Sequence, residues 1–345
     1  MRLGWAAVAA AVTATTLIGG CGGSTKLSGP PATVVTEALD GLGQLSAVRA
    51  VVRIEAPNLN DPSLSPAQVQ AVLHTSLVVS VETPDGRSLA SEGSSPAPSA
   101  QVDAAVVVGE DTVAEIRVLQ HKMYARVDLA GLGAAFALSP SQRAEVSDLQ
   151  SVLARDGQRV PALGALGAGR WVEVPTAMAV ALGNEELVHL GIPLATTTLR
   201  PVTLGRVVSS LMGVVSGSTA ADDGPVTGGE SYAATLPTRD LLTSPLTTLA
   251  ALAGTVGDSS YAEAVIGDAE SIPGAATVAV NFLVSGRRLA EGTLPLGQLL
   301  PGNTSAENAE VVADFSPAPA ITAPPSASPL DLAVLVPSLN MAAKV

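Results

Sequence analysis

Cysteine is nearly absent from this chain: Cys21 is the only one in 345 residues, so no disulfide can form within the chain. Aromatic residues are also scarce, at 2%, which leaves aliphatic side chains to fill a core or line a cavity. Charged residues make up 14% of the chain, well below the roughly 25% of an average globular domain. The net charge of −13 excludes the basic surface that nucleic-acid binding requires.

Residues that carry catalysis are equally rare. The three histidines, His74, His121 and His189, are far apart and have no metal-ligand spacing around them. A hydrolase would require one of them to meet a serine and an aspartate in space. The glycines of segment 164–169 predict a loop, but their G-x-x-G-x-G order does not match a phosphate cradle. The acidic residues are dispersed, so no carboxylate pair is identified. We expect no enzyme, no metal and no cofactor.

The chain begins with a pattern typical of export. Arg2 precedes an uncharged apolar stretch, 4–18, which is shorter than the roughly 20 residues that span a bilayer. The following residues, Ile18-Gly19-Gly20-Cys21, resemble a bacterial lipobox, in which the cysteine is acylated, for example with palmitate, after cleavage. An ordinary secretory signal followed by a free or core cysteine is the alternative. We expect a signal peptide at 1–20 and a flexible, membrane-anchored tether at 21–35.

Alternating apolar and polar residues predict strands along most of the chain. The predicted strands are 49–55, 75–83, 112–120, 122–129, 170–174, 276–285, 289–294 and 308–315. The predicted helices are 36–48, 204–215, 239–253 and one capped by Asp258 or Ser259. Segments 94–99 and Asp222-Asp223-Gly224 are predicted to be loops. These strands present one apolar face, and the pattern alone favours a packed core over a ligand-binding gap.

Four segments resemble the LppX/LprG family of actinobacterial lipoproteins, namely VLQHKMYARVDL (118–129), GRWVEVP (169–175), TVAVNFLVSGRRLAEGTL (277–294) and ADFSPAPAITAPPSASPLDLAVLV (313–336). An actinobacterial source also agrees with the abundance of Ala, Val and Gly. The resemblance implies an α+β, LolA-like fold over 36–337. This fold is a strongly curved antiparallel sheet, an incomplete barrel, with helices packed on its concave side. A short tail, 338–345, follows.

The same resemblance implies an apolar cavity that binds acylated lipids or glycolipids. The expected cavity wall is Leu77, Val79, Val81, Ile116, Val118, Met123, Val127, Val278, Val280 and Phe282. The implied function is that of a lipoprotein on the extracytoplasmic face of the cell membrane that binds such a lipid and assists its transport, with an envelope transporter as a possible partner. The alternative is a non-catalytic accessory lipoprotein of an envelope transport or synthesis complex, with a filled core and an exposed apolar patch.

Overall fold

A computed structural model describes residues 27–57, 64–93, 100–119, 122–175, 213–241, 275–299 and 307–330. Within these ranges twelve strands form one sheet. They are β1 (Ala47–Glu55), β2 (Thr75–Glu82), β3 (Gln101–Val108), β4 (Asp111–Leu119), β5 (Lys122–Val127), β6 (Val172–Pro175), β7 (Thr219–Val226), β8 (Gly229–Pro237), β9 (Thr277–Ser285), β10 (Arg288–Pro295), β11 (Glu310–Ser316) and β12 (Ser328–Pro329). The helices are α1 (Pro31–Gly43), α2 (Pro66–Leu73), α3 (Leu89–Gly93), α4 (Leu129–Ala135), α5 (Pro140–Asp156), α6 (Pro161–Gly167) and α7 (Leu296–Leu299).

The spatial order of the strands is β12-β6-β5-β4-β3-β2-β1-β11-β10-β9-β8-β7. Every neighbouring pair is antiparallel except β12 and β6, which are parallel. The sheet does not close, because β12 and β7 lie at opposite edges. Most neighbours are also consecutive in the chain, as is usual for antiparallel meanders, and β1 beside β11 joins the two halves of the chain. The predicted α+β class with a large open sheet is confirmed.

The pleat gives the sheet two chemically different faces. We call one the apolar face, and it carries Val52 of β1, Leu77 of β2, Ala313 of β11 and Phe282 of β9. Residues one position along each strand point the other way and form the polar face. Helix α1 covers the apolar face over β7 to β10, and its Val35, Ala38 and Leu42 are fully buried there.

All eight strand predictions were correct to within two residues at each end, because a period of two is a local signal. The strand predicted at 122–129 ends two residues early, at Val127, because the Asp128 side chain caps α4. The first helix is α1, Pro31–Gly43, not 36–48. It starts at Pro31, which suits a first helical turn, and the chain is already in β1 by Ala47. Helix α1 thus begins inside the segment predicted to be a tether.

Two loop predictions were wrong. Segment 164–169 lies mostly in α6, where Gly164 packs against Gly157 so closely that an added Cβ would be 3.1 Å from the Gly157 Cα. The predicted loop Asp222-Asp223-Gly224 lies within β7, because pairing with β8 outweighs its polar composition. The register shifts between Asp222 and Gly224, which leaves Asp223 as the extra residue of a bulge.

Several elements were not predicted, namely the strands β3, β7, β8 and β12 and the helices α2, α3, α4, α5, α6 and α7. Other predictions lie wholly or largely outside the described residues. These are the helices at 204–215 and 239–253, the helix capped by Asp258 or Ser259, the loop at 94–99, and the positions of Cys21, His121 and His189.

Candidate functional site

All ten residues predicted to line a cavity share the apolar face. Successive register pairs connect Phe282, Gly292, Ala313, Val52, Leu77, Val106, Ala114 and Val127 in one row across the sheet. Val79 and Ile116 lie in the next row, through Ala104, and Val81 and Met123 in the one after, through Val102 and Val118. Strand pairing therefore collects residues that are more than 200 positions apart in the sequence onto one surface.

Burial divides these ten residues into two groups. Six are buried in the structure, namely Val79, Val81, Met123, Val278, Val280 and Phe282. The other four are half-buried: Leu77, Ile116, Val118 and Val127. We call these four the lateral apolar patch. It lies on β2, β4 and β5, away from the strands that α1 covers. A ligand would find accessible aliphatic surface on this part of the sheet.

The polar face contains a carboxylate pair that the sequence did not reveal. Glu115 of β4 is buried and accepts hydrogen bonds from Arg117 Nε at 2.9 Å and from Arg126 Nε at 2.9 Å. Asp103 of β3 forms an ion pair with Arg117, with 3.3 Å between Asp103 Oδ2 and Arg117 Nε. The guanidinium carbons of Arg117 and Arg126 each lie 5.0 Å from the centre of the Trp171 ring. We call these five residues the charge cluster.

Burial and the neighbouring Glu115 carboxylate together raise the pKa of Asp103 to about 6, although the nearby Arg117 acts in the opposite direction. One oxygen of Asp103, Oδ1, is buried without a hydrogen-bond partner. A raised carboxyl pKa is often a sign of catalysis. Here both Glu115 oxygens are bound by arginines, so the cluster is an ion-pair network on the sheet.

A proline-rich segment, 317–327, crosses the polar face between β11 and β12. We call it the C-terminal strap. Ile321 is buried and its N–H donates to Glu82 Oε2 at 2.7 Å. The Thr322 carbonyl accepts from Arg117 Nη1 at 2.9 Å. Beyond the strap, Ser328 N–H donates to the Trp171 carbonyl at 2.9 Å. The strap therefore lies over the charge cluster, and no sequence signal predicted its course.

An open pocket of about 670 Å³ lies where β1, β10 and α2 end and β11 begins. It is lined by Ile54, Glu55, Ala56, Pro57, Gln70, Leu73, His74, Pro295, Glu307, Asn308, Ala309 and Glu310. We call it the β1-end pocket. His74 is the one histidine within the described residues, and the pocket lining offers it no serine, threonine or cysteine nucleophile.

Within the described ranges, no three His, Cys, Asp or Glu side chains are placed to share a metal ion. Over the same residues, no helix has the length and apolar character needed to cross a membrane.

The fold and sites define an α+β protein built on a large open sheet with one apolar face. No protein-family model matches the chain, and no curated protein matches it either. Among solved structures, it is similar to LprF from Mycobacterium bovis, with 11% identity and a TM-score of 0.39 over 88% of this chain and 100% of that chain.

It is also similar to the Mycobacterium tuberculosis lipoprotein LppX, with 9% identity and a TM-score of 0.33 over 85% of this chain and 98% of that chain. LprF and LppX are members of the LppX/LprG family that the sequence motifs resemble. At these TM-scores and identities, neither likeness says what this chain binds.

Proposed function

We propose that this protein is an exported lipoprotein, acylated on Cys21, that binds the acyl chains of a lipid or glycolipid on its apolar sheet face and assists the transport of that lipid. The observation that carries the proposal is the lateral apolar patch. Leu77, Ile116, Val118 and Val127 keep accessible area although each lies on the same face as the packed core.

The energetics favour such a use of the patch. Covering hydrocarbon with apolar side chains is worth about 0.8 kcal/mol for each buried CH₂ group. Two acyl chains therefore supply more than enough free energy to offset the cost of ordering the lipid. Flat aromatic slots are not needed for flexible chains, and the patch consists of aliphatic side chains only.

Membrane attachment through Cys21 is the second part of the proposal. Two acyl chains suffice for stable anchoring, whereas one chain binds marginally. In this proposal 1–20 is removed, the residues that follow Cys21 connect the anchor to a lipid-binding domain that begins with α1 at Pro31 and ends at 337, and 338–345 is a tail on the extracytoplasmic side. Replacing Cys21 with Ala should abolish labelling by radioactive palmitate and release the protein from the membrane fraction. Retention of label in that variant would contradict acylation at this residue.

The test of lipid binding is organic extraction and mass spectrometry on a form of the chain beginning at Ser24, produced in an actinobacterial host. This form lacks Cys21, so any lipid recovered is bound non-covalently. We expect a defined acylated lipid at about one molecule per protein. A folded protein that carries no lipid would overturn the proposal.

A pair of matched variants locates the site. Val118→Asn places an amide in the lateral apolar patch and should lower the lipid recovered several-fold. Val78 is also half-buried, but it points to the polar face, so Val78→Asn should leave lipid recovery unchanged. Equal losses in both variants would indicate a general effect on folding and not a site on the apolar face.

One observation favours the accessory-lipoprotein alternative. Leu149 and Val152 of α5 are 47% and 41% exposed, and α5 has no buried residue. Exposed apolar side chains one turn apart are typical of a protein contact. A lipid-free protein that loses a co-purifying envelope partner on Leu149→Asp would support this function instead.

A further inference from the structure

The β1-end pocket is separate from the lateral apolar patch and has a chemistry of its own. Its volume of about 670 Å³ is within the range of small-ligand sites. Ile54, Leu73 and Ala309 belong to the main apolar core or pack against it, so the inner wall of the pocket is apolar. The outer wall is polar and exposed, with Gln70, His74, Glu307 and Asn308 among its residues.

The polar wall carries an excess of negative charge. Three carboxylates line the pocket, from Glu55, Glu307 and Glu310. Arg53 forms an ion pair with Glu55, but it also pairs with Asp314, so it is shared between two acids. Among the described residues, no ion pair involves Glu307 or Glu310. At neutral pH a cation would therefore be attracted to this wall.

The pairing of β1 with β11 makes this charge unfavourable in the free protein. Glu55 and Glu310 are direct cross-strand partners, the last pair of that ladder. Like charges directly opposite each other destabilise a sheet. A cation bound between them would offset the part of this repulsion that the Arg53–Glu55 ion pair leaves.

Helix α2 adds to the negative electrostatic potential of the pocket. Its last residue, Leu73, and its C-cap, His74, both line the pocket. The C-terminal end of a helix carries partial negative charge and favours a cation. The carboxylates and the helix end are independent features that attract the same kind of group.

We propose that the β1-end pocket is a binding site for an amphiphile with a cationic head, a primary amine or a guanidinium group joined to an apolar body. The head lies among Glu55, Glu307 and Glu310, and the apolar body contacts Ile54 and Leu73. The site does not depend on the lipid-binding proposal, because it lies at the strand ends and uses none of the ten cavity residues.

The test is isothermal titration calorimetry of the folded protein with n-octylammonium. The comparison ligands are methylammonium, which lacks the apolar body, and octyl sulfate, which has the opposite charge. We expect octylammonium to bind at least tenfold more tightly than either. Equal affinity for octyl sulfate would overturn the assignment of a cationic head, and equal affinity for methylammonium would overturn the assignment of an apolar body.

Two double variants with the same change in net charge locate the site. Glu307→Gln with Glu310→Gln should weaken octylammonium binding about tenfold, because it removes two of the three carboxylates. Glu145→Gln with Asp148→Asn on the exposed surface of α5 should leave the affinity unchanged. Thermal unfolding of both variants confirms that they are folded. Equal weakening by both would show that net charge, and not the pocket, attracts the ligand.

Discussion

Arg117 Nη1 donates a hydrogen bond of 2.9 Å to the backbone carbonyl of Thr322, a residue 205 positions further along the chain. This bond connects the charge cluster to the C-terminal strap. Because the acceptor is a backbone carbonyl, the bond fixes the position of the strap without depending on the side chain at 322. A charged side chain of β4 thus holds a proline-rich segment that has few hydrogen-bond donors of its own.

The first prediction concerns the strap. Ile321→Ala removes a buried side chain, which typically costs about 2–4 kcal/mol, and should loosen the strap over Trp171. We expect a red shift of Trp171 fluorescence and faster proteolysis within 317–327. Thr322→Ala is the control, because that side chain is exposed and its carbonyl remains. If both variants are cleaved at the wild-type rate, Ile321 does not anchor the strap.

The second prediction concerns the centre of the charge cluster. Glu115→Gln removes the carboxylate that Arg117 and Arg126 share and leaves two partly buried guanidinium groups under-compensated. We expect the free energy of unfolding to fall by about 3 kcal/mol, at the lower end for a broken buried ion pair because both arginines retain some exposure. Urea denaturation measures this. Glu145→Gln on α5 is the exposed control, and a similar small change in both would contradict the prediction.

The third prediction is a pH dependence from Asp103. Its pKa in the folded protein, about 6, lies above its ordinary value of 3.8, so the folded state binds the proton more tightly than the unfolded chain does. Asp103 therefore contributes stability that is fully present below pH 3.8 and is lost as the pH rises through about 6.

Asp103→Asn removes this titration. Above pH 6 we expect the variant to be more stable than the wild type, with a flatter stability profile between pH 4 and 6. Chemical denaturation across this pH range measures the difference, with Asp111→Asn at the exposed start of β4 as the control. Lower stability of Asp103→Asn at pH 7 would show that attraction to Arg117 outweighs burial and the repulsion from Glu115.

The fourth prediction concerns the approach of α1 to the β9–β10 turn. A Cβ on Gly41 would lie 2.7 Å from the Arg287 carbonyl oxygen, which is backbone and cannot move aside easily. Alanine favours a helix by about 1 kcal/mol over glycine. The steric overlap should outweigh this gain, so Gly41→Ala should lower Tm. Gly292→Ala should leave Tm nearly unchanged, because no atom of the described residues lies within 4 Å of a Cβ added there. A higher Tm for Gly41→Ala would show that the turn adapts.

Sequence patterns predicted individual elements more reliably than the ways they combine. The apolar residues of β2, β4, β5 and β9 were identified correctly as one-sided strands, because alternation is a property of each segment alone. Strand β7 was not predicted, because Asp222, Asp223 and Gly224 are residue types that favour turns. They form a strand only because they pair with the neighbouring β8. Helix α5 was missed because its sequence is polar and it buries no residue.

Of the candidate sites, the sequence predicted the apolar face but neither the charge cluster nor the β1-end pocket. Leu77 and Val127 were expected on one apolar face, and the register brings them into one row. The charge cluster could not be predicted, since Asp103, Glu115 and Trp171 come from separate segments without a shared motif. The β1-end pocket is formed by α2, the ends of β1 and β10, and residues 307–310. Among its lining residues, the sequence singles out only His74 as a possible catalytic or metal-binding residue.

The sequence by itself determined the alternation of the strands, the low aromatic content of the core, the acidic charge and the lipobox-like start, because each is a property of composition or of a few consecutive residues. The tertiary structure alone decided that Glu55 opposes Glu310, that Arg117 meets Thr322, and which part of the apolar face α1 leaves open. Those relationships depend on which strand pairs with which. Pairing is set by the combined packing of the whole sheet, and no local pattern contains it.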